Sequence, residues 1–205
     1  MLALIDYGSG NLRSVHKALL QVGAEVRIVR HGDELADARA AVLPGVGAFD
    51  DCLRALQAQG FLTVLKDFIA ADRPFLGICV GYQALFNRSE EFASTEPGLG
   101  ILPGPVVRFT PTPDLKIPQI GWNRLHFARA DCPLFRGIPD GSHAYFVHGY
   151  FPRPADPSVV ACWTDYGERF ASAIWRGRLF ATQFHPEKSQ EIGLTLLRNF
   201  LDLSR

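Results

Sequence analysis

The chain has 205 residues, 47% hydrophobic and 20% charged, with 21 basic side chains against 21 acidic ones. A polypeptide of this length can bury roughly 70% of the surface its unfolded form exposes, so one core can form without disulfides or a structural metal. Zero net charge speaks against a nucleic-acid footprint or an anionic-membrane surface, no apolar run reaches the ~20 residues of a membrane helix, and residues 1–6 carry no basic leader, so a cytoplasmic protein is expected.

In chain order, residues 2–6 form a short apolar run, followed by Tyr7-Gly8-Ser9-Gly10 and a helical pattern carrying Leu12, Val15, Leu19 and Leu20 that stops at Gly23. Residues 25–30 alternate with period two, residues 40–43 read as a third strand, and residues 51–59 and 62–71 read as helices. Residues 74–79 are a buried-type strand running into a helix through Leu85-Phe86. Strands separated by helices predict a parallel sheet with ligands outside the carboxyl ends of its strands. From about Pro97 the texture changes: Pro and Gly become dense, and residues 106–109, 143–148, 159–164, 170–175 and 179–184 fit antiparallel hairpins, the last two joined across Arg176-Gly177-Arg178. A final helix over 191–203 has Ile192, Leu196, Leu197, Phe200 and Leu201 as its apolar face. The expected fold is a single α/β domain over 1–205, with a mixed, largely parallel central sheet, flanking helices and antiparallel hairpins in the C-terminal half.

Three stretches carry chemistry. Gly77-Ile78-Cys79-Val80-Gly81 is the thiol counterpart of a nucleophile elbow, in which small residues two places either side let a sharp strand-to-helix turn close. Such a turn places sulfur at a helix N-terminus, where free amides favour thiolate. Taken alone, Cys79 also fits a small buried apolar residue. Phe184-His185-Pro186-Glu187 supplies a base and an acid two residues apart, which an extended backbone turns to the same side. A carboxylate on one ring nitrogen holds the tautomer that takes a proton at the other. Alone, this segment fits a surface turn equally well. Leu43-Pro44-Gly45-Val46-Gly47-Ala48 follows the third strand on the same sheet edge as Cys79. Its glycines let amides at Val46 and Gly47 approach a ligand, completing an oxyanion hole with the amide of Val80, although a plain tight turn also explains them. A peptide between two glycines can also reverse its amide direction at little cost, which suits a switch at Val46. The remaining cysteines, Cys52, Cys132 and Cys162, lie in no elbow, no C-x-x-C pair and no zinc spacing, so no metal or cofactor is expected.

Together these residues resemble the class I (triad) glutamine amidotransferases: residues 77–83 are similar to that family's G-x-C-x-G-x-Q motif and residues 185–187 to its H-P-E. Residues 5–15, 43–49, 121–123, 145–148 and 183–189 are most similar to the branch that serves as glutaminase subunits of imidazole glycerol phosphate synthases, and they span the whole chain. The resemblance implies Cys79 as nucleophile, His185 as base and Glu187 as its orienting acid. It further implies Gln83, Glu91 and Tyr150 in the glutamine pocket beside Gly47. The chain departs from the family pattern at Gly149, where Ser or Thr is commoner. The resemblance also implies a partner, a separate (β/α)8-barrel cyclase subunit that receives ammonia, with Trp122, Asn123 and Lys188 near the interface. A stand-alone γ-glutamyl cysteine hydrolase, a silent binding subunit and the glutaminase of another synthase, such as that of pyridoxal phosphate, remain as alternatives.

Overall fold

A computed structural model describes residues 1–8 and 11–204; Ser9 and Gly10 of the first predicted turn lie outside the described residues. The first half forms β1 (Leu2–Ile5), α1 (Leu12–Gln21), β2 (Val26–Val29), β3 (Ala40–Leu43), α2 (Phe49–Ala58), α3 (Phe61–Ala70), β4 (Phe75–Ile78) and α4 (Val80–Gln83). The second half adds β5 (Arg88–Ser89), β6 (Pro105–Arg108), β7 (Gln119–Arg124), β8 (His126–Phe127), β9 (His143–His148), β10 (Tyr150–Pro152), β11 (Val160–Tyr166), β12 (Glu168–Arg176), β13 (Leu179–Thr182) and α5 (Gln190–Leu203).

Eight strands make the central sheet in the order β2-β1-β3-β4-β13-β12-β11-β8. The first five run parallel, and β12, β11 and β8 continue antiparallel. Every residue of β1, β3, β4 and β13 is buried, which is why the first three read as unbroken apolar runs and the last is apolar up to Thr182. The edge strand β2 is only partly covered and keeps a polar residue in its middle. Helix α1 packs with α5, and α2 with α3. Apolar residues from both halves of the chain form one continuous core cluster.

The step that builds the site is the insertion of β13. The β12–β13 hairpin returns the chain beside β4 in parallel register, with Leu179 opposite Phe75 and Thr182 opposite Ile78. The backbone amide of Cys79 then donates to the Thr182 carbonyl at 2.8 Å. Segments about a hundred residues apart therefore leave the sheet side by side, at its carboxyl edge.

Several expectations need correction. The helix after Cys79 is four residues long and does not continue through Leu85-Phe86. The amides of Leu85 and Phe86 donate three residues back, to Tyr82 and Gln83, and the carbonyls of Ala84, Leu85 and Phe86 accept from the returning backbone at Leu99, Ile101, Leu102 and Gly100, so the helix closes in tight turns and goes no further. Leu20, counted with the apolar face of α1, is 49% exposed. Among the described residues only β11–β12 and β12–β13 are hairpins of consecutive strands. Strand β6 pairs with β10 and β5, and β9 pairs with β7 across the intervening β8.

Candidate active site

Cys79 occupies the turn between β4 and α4 with φ 55° and ψ −109°, a backbone state few non-glycine residues adopt. Its neighbours explain why the turn can close. A Cβ on Gly77 would come within 2.7 Å of the Gly81 carbonyl oxygen, and one on Gly81 within 2.0 Å of the Leu43 carbonyl oxygen. The loop after β3 is pressed onto the same turn, since a Cβ on Gly45 would lie 2.6 Å from the Gly81 nitrogen. Gly47 has φ 96°, the left-handed region that favours glycine. Val80 contributes the first amide of α4, one of those a helix leaves without an internal partner. Because α4 is a single turn, its dipole is small, and the setting of the sulfur depends more on the neighbouring side chains.

The foremost of these is His185. Its side chain is 1% exposed and that of Glu187 is 0% exposed, which removes the surface-turn reading. His185 Nδ1 lies 2.7 Å from Glu187 Oε1. The pair does not meet along extended backbone as the spacing suggested: Pro186–Lys188 is a turn of 3-10 helix, and His185, still extended at φ −97°, caps it. The His185 backbone is held by the Tyr145 carbonyl, which accepts from its amide at 2.9 Å, and by Ser189, whose hydroxyl donates to the His185 carbonyl at 2.7 Å. Among the described residues Nε2 makes no hydrogen bond of ordinary geometry, which leaves it available to the reacting groups. Burial alone would lower the pKa of His185; the adjacent Cys79 sulfur and then Glu187 outweigh it and raise the pKa to about 10. A cationic imidazole beside sulfur is the charge that stabilises a thiolate.

Cys79, His185, Val46, Gly47, Val80, Gln83, Glu91, Tyr150 and Lys188 line one cavity of about 300 Å³, at the small end of the range for small-molecule sites. Gln83 uses its amide nitrogen on the Tyr150 carbonyl (3.0 Å) and on Gln183 Oε1 (3.1 Å). Glu91 stands on a 3-10 turn after β5, and its Oε2 accepts from the Phe49 amide at 2.7 Å. Burial raises its pKa, partly countered by that hydrogen bond. Gly149, also at the cavity wall, has room for a side chain: the nearest atoms to an added Cβ are 3.5 to 3.9 Å away.

A model of glutamine amidotransferase class I matches residues 3–203. The chain belongs to that family. This amidotransferase is 52% identical over 202 residues to imidazole glycerol phosphate synthase subunit HisH of Synechococcus sp. (strain JA-3-3Ab), covering 98% of this chain and 93% of that protein. It is 48% identical to the protein of the same name from Syntrophotalea carbinolica, covering 99% and 100% of the two chains. In fold it is similar to a glutamine amidotransferase crystal structure, with a TM-score of 0.76 at 21% identity over 99% of this chain and 98% of the other.

The residues expected at a partner face are divided by the amidotransferase fold. Lys188 is exposed at the cavity mouth, its Nζ 5.7 Å from the centre of the Tyr145 ring. The Trp122 ring packs edge-on against the same Tyr145 ring, 6.0 Å between centres, and is 47% exposed. Asn123 is next to Trp122 on β7 and so projects from the opposite face; its amide donates to the Asp165 carbonyl at 2.9 Å.

Two residues beside Cys79 and the cavity had no role in the sequence reading. Gln183 Nε2 donates to Cys79 Sγ at 3.7 Å, and the available signal was its position two residues before His185, on the same face of an extended chain. His148 had none. It lies among Phe109, Phe146 and Phe170, pairs Nδ1 with the Tyr150 carbonyl at 2.8 Å, and is driven by burial to a pKa of about 3. Cys52, Cys132 and Cys162 are buried free thiols, with pKa values raised by burial to about 12, 11 and 12.

Proposed function

We propose that this chain is the glutaminase subunit of an imidazole glycerol phosphate synthase, working in histidine biosynthesis. The observation that carries the reading is the convergence of Cys79, His185 and the Gln83–Glu91–Tyr150 wall on one cavity, with Glu187 buried behind His185. Cys79 attacks the side-chain carboxamide carbon of glutamine as a thiolate, and the developing oxyanion is met by the Val80 amide and one from the Val46–Gly47 loop. His185 Nε2–H protonates the departing nitrogen, which leaves as neutral ammonia, and Cys79 retains a glutamyl thioester. His185, now neutral, takes a proton from water as it attacks; glutamate and the free thiolate result. Glu187 holds Nδ1–H throughout, so the proton always passes through Nε2.

Ammonia is a nucleophile only while unprotonated, so it must reach its acceptor without equilibrating with water. We assign the acceptor site to a separate (β/α)8-barrel cyclase subunit docked over the cavity mouth, with Lys188 and Trp122 on the docking face. Residues 1–205 act as one glutaminase domain. Among the described residues no helix is long and apolar enough to cross a membrane, and we place the enzyme in the cytoplasm with the rest of the pathway. The test is glutamate release by the purified chain with and without added cyclase subunit and its nucleotide substrate. Release that rises when both are present supports the assignment. Full activity of the chain alone indicates a stand-alone hydrolase, and stimulation by a different synthase indicates another pathway.

A further inference from the structure

The acid of the triad is enclosed as fully as the base it orients, and its hydrogen bonds among the described residues are few. The Glu187 side chain is entirely shut off from solvent. A carboxylate so placed needs donors, because burying the charge without them is costly. Its Oε1 accepts from His185 Nδ1 and from the side-chain amide of Asn11, while Oε2 has no hydrogen-bond partner among the described residues. Among the described residues Asn11 is thus the only side chain besides His185 that holds Glu187.

Asn11 is well suited to hold it firmly. Its backbone sits at φ 71° and ψ −2°, the left-handed region where asparagine is tolerated better than nearly any residue except glycine. Its carbonyl accepts from the amides of Ser14 and Val15 at the start of α1, which anchors the residue to the helix. The side chain then reaches a residue 176 positions away in sequence. We propose that Asn11 is a positioning residue for glutamine hydrolysis: its amide keeps Glu187 Oε1 on His185 Nδ1, and so keeps Nε2 turned to the reacting groups. The role rests on the glutaminase reading above.

The decisive variant is Asn11→Gly, which preserves the left-handed backbone and deletes only the amide. A hydrogen bond to a charged group is removed, so kcat for glutamine hydrolysis in the complex with the cyclase subunit should fall about tenfold or more. KM should stay within about twofold, since no substrate contact is lost. In a Glu187→Ala background the same change should alter kcat by less than about twofold, the sign of action through Glu187. An equal loss in both backgrounds, a change in KM alone, or unaltered kcat would overturn the proposal. Should Asn11→Gly fold poorly by circular dichroism, Asn11→Asp, which tolerates the same backbone but presents oxygens to Glu187, should lose at least as much kcat at pH 8; wild-type kcat there would overturn it too. If the wild-type complex releases no glutamate, the glutaminase reading itself falls and this role with it.

Discussion

Gln183 donates from Nε2 to the sulfur of Cys79 across 3.7 Å, joining the end of β13 to the nucleophile turn. Gln83 in turn donates to Gln183 Oε1. The sulfur therefore sits at the end of a short chain of amides as well as beside His185, and all of these groups are buried. Replacing the sulfur by oxygen, in Cys79→Ser, should leave this arrangement intact and abolish glutamine hydrolysis, because a hydroxyl supplies no comparable anion near neutral pH. The variant should still bind the cyclase subunit and support synthesis from added ammonium salt. Persisting glutamate release would remove Cys79 from the mechanism.

The other three thiols should be dispensable for chemistry. Cys52, Cys132 and Cys162 are buried, and burial holds each in its neutral form. Replacing all three by Ala should leave turnover of the folded fraction within a few fold, at a stability cost of roughly 1 kcal/mol per site. Comparing turnover per active site with the melting temperature separates the two effects.

The loop glycines differ in what they can report. Gly45→Ala places a Cβ 2.6 Å from the Gly81 nitrogen and 2.8 Å from Val80 Cβ, so it should disturb the nucleophile turn and lower activity in every state. Gly47 has open space around it but a φ of 96°, so Gly47→Ala imposes a backbone penalty of roughly 1–2 kcal/mol without a clash. If the Val46–Gly47 peptide turns its N–H inward only in the loaded complex, Gly47→Ala should change the ratio of activity with and without cyclase and nucleotide. An unchanged ratio would make the loop a static turn.

Gly149→Ser tests the departure from the family pattern. The nearest atoms to the new Cβ lie at ordinary contact distance, so the melting temperature should hardly move. A hydroxyl donating to bound glutamine would contribute about 1 kcal/mol, lowering KM roughly fivefold at unchanged kcat. A raised KM would mean that the hydroxyl intrudes on the substrate.

His148 predicts an acid sensitivity. Folded, its pKa is about 3, against 6.5 when exposed in the unfolded chain. Between these values the unfolded state binds more protons, so this residue lowers stability as pH falls below 6.5, by at most about 1.4 kcal/mol per pH unit. His148→Phe should flatten the fall in stability between pH 6 and pH 4, measured by urea denaturation. A parallel decline in both proteins would assign it to other groups.

Much of this protein was written locally. The buried strands β1, β3 and β4 were legible because a strand covered on both faces carries an unbroken apolar run, and the elbow was legible because Gly77 and Gly81 are the residues its closure requires. Residue type and spacing, with the family resemblance, singled out Cys79, His185 and Glu187 as candidates. Tertiary structure alone decided how they meet. Insertion of β13 beside β4 is a long-range pairing that no local pattern encodes, and it sets Gln183 and His185 against Cys79. Beyond α4, the carbonyls of Ala84, Leu85 and Phe86 are taken by the backbone at 99–102, a long-range pairing that no local pattern announces. Asn11 and His148 took their roles from partners far along the chain or from the packing around them, because a hydrogen bond between distant segments leaves no periodicity in either one.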